Sequence, residues 1–221
     1  MDAGPDPRRH GGLPAQFPIF PLAGALLLPR GKLPLNIFEP RYLAMVEDAL
    51  AERRCIGMIQ PDEGRPAGPS GPALYRVGCL GRLVSFSETE DGRYLITLAG
   101  VSRFEVLEEL GMNRGYRRVR AGFARFSADL DDGEARLADR AGLLAALRGY
   151  FQAQGFDANW DAIEGMDDDA LVTTLAMVCP FGAAEKQALL EAPPGIERAS
   201  ALLALLSMGA HESRSGGPAP S

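Results

Sequence analysis

The spacing of apolar residues changes near residue 128, and this change constrains the fold more than any other feature of the sequence. Before it, short apolar segments are separated by Gly, Pro and Asp-Gly, which is typical of β-strands joined by turns. After it, apolar residues recur three and four positions apart, which predicts amphipathic helices. We therefore predict an α+β chain: a small, partly open β-barrel over residues 16–128 and a helical bundle over residues 129–208.

In the first part, proline, glycine and Asp-Gly indicate where the predicted strands begin and end. The segment "FPIFPL" contains two prolines, which predicts an edge strand, and "KLPLNIF" and "CIGMIQ" predict two more. Asp91-Gly92 lies between two alternating segments and predicts a hairpin with a type I′ turn. Gly100 predicts a further bend, and "YRRVRAGFARF" a final strand. One helix, opened by Pro40, is embedded among the strands.

Composition narrows the classes of protein to consider. The chain has 221 residues with 46% hydrophobic content, enough for a core, and a net charge of −6, which disfavours a general nucleic-acid binder. No apolar run is long enough to span a membrane, so we expect no membrane partner. Cys55, Cys79 and Cys179 are far apart, which fits reduced thiols in a cytoplasm. Residues 1–15 and 209–221 are rich in Gly, Pro, Ser and charge and predict disordered tails.

The sequence offers few residues suited to catalysis. His10 and His211 are the only histidines, and both lie in the predicted tails, so neither is placed to activate a nucleophile. Lys186 is expected to face solvent on a helix. The run Asp167–Asp169 is interpreted as helix capping rather than as a cation site. We therefore predict that the chain is not an enzyme and has no catalytic, cofactor-binding or metal-binding residues.

Glu39 and Arg41 flank Pro40 at the joint between a predicted strand and the embedded helix. This pair lacks the second acid or the histidine that general acid–base catalysis needs. A carboxylate at a helix start accepts hydrogen bonds from unpaired backbone N–H groups, so we expect this role for Glu39. We expect the Arg41 guanidinium to bind carbonyl groups of the barrel. The joint is thus interpreted as structural.

Five segments in a fixed order carry a family resemblance. They run from "FPIFPLAGALLLPRGKLPLNIFEPRYLAMVEDAL" through "IGMI", "VGCLGRL" and "DGRYLITLAGVSRFEV" to "AMVCPFGAAEKQALLEAPPGIERASALLALL". Together they resemble the N-terminal domain of the Lon protease family over about residues 16–208. The landmark residues are Phe38, Glu39, Pro40, Arg41, Tyr42, Arg82, Arg103 and Phe104.

The resemblance implies a PUA-like β-barrel followed by a helical bundle. In the full protease this domain is associated with recognising unfolded or damaged polypeptides and with assembly. No Walker-type loop and no catalytic Ser-Lys segment follow residue 208, so we expect the free-standing form of the domain.

Three functions remain open. The first is a non-enzymatic polypeptide-binding module, an adaptor or a quality-control factor, whose partners are unfolded or damaged polypeptides or another protein. Its candidate residues are apolar, with ordinary core as the alternative: Phe17, Phe20, Leu26, Leu27 and Leu28.

The second function is RNA binding through the PUA-like barrel. Its candidate residues form the one basic cluster, with a solvated strand face as the alternative: Arg114, Arg117, Arg118 and Arg120. The third is a hydrolase, which the histidine positions disfavour. The oligomeric state is left open.

Overall fold

The computed structural model describes residues 12–131 and 137–215, with side chains up to His211. Contacts within the chain divide it into two compact units, Met1–Asp132 and Gly133–Ser221. The predicted boundary at residue 128 lies just before this division. The difference arises because the 3-10 helix Ala124–Leu130 belongs to the first unit, where Asp129 on it pairs with Arg103 of the barrel.

Over residues 12–131 the first unit is built from six strands, one α-helix and the 3-10 helix. Its elements in chain order are β1 (Gln16–Pro21), β2 (Lys32–Ile37), α1 (Pro40–Ala51), β3 (Cys55–Ile59), β4 (Val77–Glu88), β5 (Tyr94–Asn113) and β6 (Tyr116–Gly122). The predicted strands and the embedded helix are all present, which confirms the α+β fold class.

The strands form one sheet in the order β2-β5-β4-β3-β1-β6, and β5 also pairs with β6. This extra pairing closes five of the strands into a barrel, because the 20-residue strand β5 is long enough to exchange partners along its length. The prediction that the first strand is an edge strand is therefore wrong. β1 lies between β3 and β6, and Pro18 precedes the segment of β1 that pairs with β3. The edge strand is β2, which pairs with β5 alone among the described strands.

The barrel core contains side chains from every strand of the closed circuit. Its buried members are Phe17, Ile19, Cys55, Ile59, Leu74, Leu80, Phe104, Val119 and Ala121. The rings of Phe17 and Phe104 meet edge to face with centroids 5.0 Å apart. Leu13 packs against the same cluster, so ordered structure begins before residue 16.

Two hairpin turns differ from expectation. Gly92 has φ of 79° but Asp91 does not have a positive φ, so the turn between β4 and β5 is not type I′. The two-residue turn with positive φ at both positions lies between β5 and β6, at Arg114 (46°) and Gly115 (87°). Arginine rarely adopts this conformation, and the turn is stabilised by the bonds that its guanidinium makes to Glu47 and Asp48 of α1.

β5 continues through Gly100, but its register to β4 shifts there, with Gly81 opposite Gly100 and Leu80 opposite Ser102, so the predicted bend corresponds to a bulge within one strand. Gly100 also allows the segment before β2 to approach the backbone of β5 closely. The Gly100 N–H donates to the carbonyl of Gly31, and the Arg30 N–H donates to the carbonyl of Gly100. A Cβ atom at this position would lie 1.9 Å from the carbonyl oxygen of Leu28. The segment before β2 therefore packs directly on the backbone of β5.

The described part of the second unit, residues 137–215, contains five helices. They are α2 (Arg140–Gln154), α3 (Trp160–Glu164), α4 (Asp168–Val178), α5 (Ala183–Glu191) and α6 (Ile196–Ser215). Asp167 caps α4 by accepting a hydrogen bond from the Ala170 N–H, which confirms the capping interpretation. Buried Arg198 donates to the carbonyls of Leu189 and Ala192 and so satisfies the end of α5.

The structure describes only part of each predicted tail. Residues 1–11 and 216–221 lie outside the described residues. The prediction that order ends at residue 208 is wrong, because α6 continues to Ser215. None of the helices in the described ranges has both the length and the apolar character that crossing a bilayer requires.

Candidate polypeptide-binding surface

The five apolar residues predicted to bind polypeptides are all in the interior. Phe17, Phe20, Leu26, Leu27 and Leu28 are each at most 7% exposed. Phe17 belongs to the barrel core, and the ring of Phe20 packs on Tyr42 of α1 at a centroid distance of 4.3 Å. Barrel closure and the packing of α1 cover these side chains. None of them exposes more than a small area to solvent, so a binding surface made of exposed apolar residues must be sought elsewhere.

The joint between β2 and α1 differs from its predicted chemistry. Glu39 occupies the N-cap position of α1, but its side chain does not bond the helix backbone. Instead Glu39 Oε2 accepts from Arg41 Nη2 at 2.7 Å, and the Arg41 guanidinium lies 4.6 Å from the Tyr42 ring centroid. Arg41 makes no hydrogen bond to a barrel carbonyl among the described residues. Pro40 does open the helix as predicted.

The link between the barrel and its flanking helical turn comes from another landmark residue. Arg103 on β5 donates to both carboxylate oxygens of Asp129, and its guanidinium lies 4.7 Å from the centroid of the Phe126 ring. Phe104, its neighbour, is fully buried in the barrel core. Arg82 on β4 lies opposite Cys55 of β3.

The predicted RNA-binding arginines are mostly paired with carboxylates. Arg117 Nη2 lies 2.6 Å from Glu109, and Arg120 Nη2 lies 2.6 Å from Glu108, across the β5–β6 ladder. Arg114 binds Glu47 and Asp48, as described above. Arg118 is half-buried. Because three of the four charges are neutralised locally, this cluster does not form a free basic strand face.

An exposed face with another character lies on the sheet formed by β2, β5 and β4. The strand register places two rows of three residues on it: Asn36, Leu95 and Ser87, and then Pro34, Thr97 and Ser85. The opposite side of the same sheet carries buried residues such as Ile37 and Ile96. Phe38 continues from β2 two residues beyond Asn36, which is the same side of an extended chain. We call these seven residues the outer face.

The outer face is uncharged and partly apolar. Phe38 is 64% exposed and Leu95 is 45% exposed, and neither row contains an ionisable side chain. Exposed apolar side chains grouped with small polar ones, without charges, are typical of the centre of a protein-binding surface. This composition suits contact with an apolar polypeptide segment.

The edge of β2 borders the outer face. Since proline lacks an N–H, Pro34 and Thr97 form a pair without ladder hydrogen bonds, and the bonds to β5 come from the flanking pairs. The backbone groups of Lys32, Pro34 and Asn36 therefore point away from β5. Among them only Lys32 and Asn36 have an N–H to offer. Pro34 thus weakens this edge as a template for another strand.

Sequence reasoning missed Leu95 and Pro34, although a signal exists. In "RYLITLAG" the alternation places Ile96 and Leu98 inside and Leu95 and Thr97 outside. A leucine at an outward position breaks the usual alternation of apolar and polar residues. The sequence does not show which of the two alternating sets of residues faces the interior. This becomes known only once one residue of the segment is shown to be buried.

The described residues include two buried thiols whose pKa values are raised. Burial raises the pKa of the Cys55 thiol, and burial raises the pKa of Cys179 to about 11, so neither thiol is activated. No group of His, Cys, Asp and Glu within the described ranges is placed to hold a metal ion. His211 lies on α6, and His10 lies outside the described residues.

The prediction for Lys186 is wrong. It is buried within the second unit, where its ammonium group lies 3.5 Å from the carbonyl of Met177. Burial lowers the pKa of this lysine. Helical spacing alone did not reveal that this side of α5 is covered.

Comparison with known proteins identifies what the chain is similar to. The sequence model of the ATP-dependent protease La (LON) substrate-binding domain matches residues 16–208. A Lon protease from Anaeromyxobacter dehalogenans is 31% identical over 96 residues, which are 43% of this chain and 11% of the relative. The chain thus spans about a tenth of the length of that relative.

Solved structures show the same fold. A Lon N-terminal domain protein from Xanthomonas campestris aligns with a TM-score of 0.60 and 23% identity, covering 86% of this chain and 97% of that one. The N-terminal domain of Mycobacterium avium complex Lon protease aligns with a TM-score of 0.59 and 16% identity, covering 89% and 98%.

Proposed function

Because this chain belongs to the family of the ATP-dependent protease La (LON) substrate-binding domain, we propose that it binds unfolded or damaged polypeptides and acts as an adaptor or quality-control factor. The family match makes the chain a substrate-recognition module of the Lon type. The proposal adds the class of client, the role in the cell and the surface that binds.

The observation that carries the proposal is the outer face. Phe38 and Leu95 are large and exposed, Leu95 lies between the uncharged Asn36 and Ser87 of the neighbouring strands, and Ile37 and Ile96 on the inner side of the same sheet are buried. An unfolded polypeptide exposes apolar side chains that a folded protein buries, so such a face distinguishes the two states. Burial of one or two apolar side chains contributes only a few kcal/mol. A micromolar affinity, which we expect, corresponds to about 8 kcal/mol, so contacts with the rest of the face must supply the difference.

Polypeptide is favoured over RNA as the partner by the pairing of the arginines. Arg114, Arg117 and Arg120 are held by carboxylates of α1 and β5, so an RNA backbone would have to displace these ion pairs. No stacked pair of exposed aromatic rings accompanies them in the described barrel strands.

The test measures binding of fluorescent unstructured peptides that carry apolar residues, by anisotropy. We expect saturable binding, and we expect the double variant Phe38→Ser, Leu95→Ser to bind about tenfold more weakly. Met112→Ser is the matched control, because Met112 is equally exposed on β5 but lies outside the outer face. Absence of saturable binding at high protein concentration would rule out the function.

The adaptor role needs a separate experiment. An unfolded client is degraded by a full-length Lon protease with increasing amounts of this chain. We expect the degradation rate to change saturably with the wild-type chain and to stay constant with the double variant. A rate that does not respond to the wild-type chain would exclude the adaptor role while leaving client binding intact.

A further inference from the structure

One mouth of the barrel is a cavity that the outer face does not include. It has a volume of about 500 Å³ and lies between the residues that lead into β1 and the end of α1. Its lining residues are Leu13, Pro14, Phe17, Pro18, Ala49 and Cys55, with Ala15, Gln16, Glu52 and Arg53 completing it. Phe17 and Cys55 are buried members of the barrel core, so the cavity is closed at its base by the core itself. Barrel mouths of this size are common ligand sites.

Two arginines lie at or near the rim of the cavity, together with one carboxylate. Arg53 lines the cavity directly. Arg82 lies opposite Cys55, another lining residue, in the β3–β4 ladder, so the side chains of Arg82 and Cys55 project from the same side of the sheet. Burial raises the pKa of the Cys55 thiol, while the charges of Arg82 and Arg53 partly oppose this, which agrees with both guanidinium groups being near the thiol. Neither arginine forms an ion pair among the described residues, and Glu52 is the one carboxylate in the lining.

Guanidinium groups without an ion pair, beside a cavity whose lining is partly apolar, indicate the chemistry of a partner. Carboxylates complement the two arginines, and an apolar side chain complements the surface formed by Leu13, Phe17 and Pro18. A second copy of this chain presents exposed Leu107 next to Glu108 and Glu109, but these two carboxylates already pair with Arg120 and Arg117. A polypeptide with free carboxylates is therefore the better match.

We propose that the barrel mouth binds an acidic segment of an unfolded polypeptide, with one apolar side chain in the cavity and flanking carboxylates on Arg53 and Arg82. The site is separate from the outer face and rests on the proposed function only in that its ligand is also a polypeptide. It adds a preference for acidic sequences that an uncharged face cannot supply.

The experiment compares three labelled, unstructured peptides of equal length. Each has one central leucine, flanked by aspartates, by serines or by lysines, and binding is followed by anisotropy at low and at physiological ionic strength. We expect the aspartate peptide to bind at least about tenfold more tightly than the lysine peptide. We also expect its affinity to fall with added salt, because the contacts are charged.

Two variants locate the site. Arg53→Gln combined with Arg82→Gln should reduce affinity for the aspartate peptide about tenfold, whereas Arg93→Gln, an exposed arginine of the β4–β5 hairpin, should not change it. Ala15→Trp should block the cavity, because Ala15 is an exposed lining residue, and Ala23→Trp is its exposed control. Circular dichroism checks that each variant is folded.

The outcomes separate this site from the outer face. Equal affinity for the aspartate and lysine peptides, or unchanged binding in both the arginine and the Ala15→Trp variants, would overturn the barrel-mouth proposal. If the serine peptide still binds and is weakened by Phe38→Ser with Leu95→Ser, the proposed function stands without it. Binding of the aspartate peptide that survives this double variant but not Ala15→Trp supports the barrel mouth alone.

Discussion

Arg103 and Asp129 form an ion pair inside the first unit, with Arg103 Nη2 2.7 Å from Asp129 Oδ1 and side chains only 4% and 1% exposed. The Arg103 backbone N–H donates to the same carboxylate. The Asp129 carboxylate therefore neutralises the charge of Arg103 and accepts a hydrogen bond from the backbone of β5. These bonds fix the 3-10 helix against the barrel. The exposed pair of Glu39 and Arg41 has no comparable bonds to the main chain.

Removing one partner of this buried pair should strongly destabilise the first unit. Asp129→Asn leaves the Arg103 charge buried without its counter-ion, and we expect a loss of about 3–5 kcal/mol in the free energy of unfolding. Urea titration followed by circular dichroism measures it. Asp91→Asn, which breaks the half-exposed pair with Arg93, should change the stability far less, because solvent screens this pair.

Replacing both partners tests whether the loss comes from the unpaired charge. The double variant Arg103→Met, Asp129→Leu should recover much of the stability that Asp129→Asn loses, because no charge remains buried. A double variant as unstable as the single one would show that packing, rather than charge, explains the effect.

Gly100→Ala should be destabilising because it forces two backbone segments apart. The added Cβ would lie 1.9 Å from the Leu28 carbonyl oxygen, and we expect a loss of about 1–3 kcal/mol or more. Gly111→Ala is the matched control on the same strand, since nothing lies within 4 Å of its Cβ position. Thermal unfolding of the two variants compares them, and equal melting temperatures would contradict the close-approach argument.

The contact between Tyr116 and Asp48 should make stability depend on pH. The Tyr116 hydroxyl donates to Asp48 Oδ2 at 2.6 Å, and this bond, aided by Arg114, holds the pKa of the Asp48 carboxyl below its ordinary value of 3.8. A depressed folded-state pKa means that the ionised form stabilises the fold above the unfolded pKa. That contribution is lost as the pH falls through the folded-state pKa.

Tyr116→Phe tests this sign. The difference in unfolding free energy between wild type and Tyr116→Phe should be larger near neutral pH than at a pH below the folded-state pKa of Asp48. Tyr75→Phe serves as control, because its hydroxyl donates to no carboxylate within residues 12–131 and 137–211, and its effect should be the same at both pH values. A Tyr116→Phe effect that does not change with pH would rule out the linkage.

Pro34 should keep the β2 edge from pairing with other chains. Pro34→Thr supplies the missing N–H at the middle of the exposed edge, and we expect concentration-dependent self-association, measured by sedimentation velocity. Pro66→Thr, in the exposed loop between β3 and β4, adds an N–H away from the sheet and should leave the chain as it was. Identical sedimentation of the two variants would argue that the edge is protected by another feature.

The sequence predicted local structure well because the signals are local. Alternation over "KLPLNIF" and "CIGMIQ" identified β2 and β3, Pro40 marked the start of α1, and Asp167 marked the cap of α4. The turn at Asp91-Gly92 was placed correctly but its type was not. The conformation of Arg114 depends on carboxylates 66 and 67 positions away, so the type I′ turn had no recognisable local signal.

The candidate site was predicted less well because exposure is not a local property. Phe17 and Leu26–Leu28 are as apolar in sequence as Phe38 and Leu95, yet the first group is buried and the second is exposed. What separates them is closure of the barrel through the second pairing of β5, together with the packing of α1. Neither can be read from spacing along the chain.

By itself, the sequence determined the order of strands and helices, the joint at Pro40 and the family, since periodicity, proline and capping residues act over a few neighbours. The tertiary structure alone decided which strand forms the edge, which arginines are neutralised and which apolar side chains remain exposed. The physical reason is that these properties depend on contacts between residues distant in sequence, such as Arg103 with Asp129, which form only when the barrel closes.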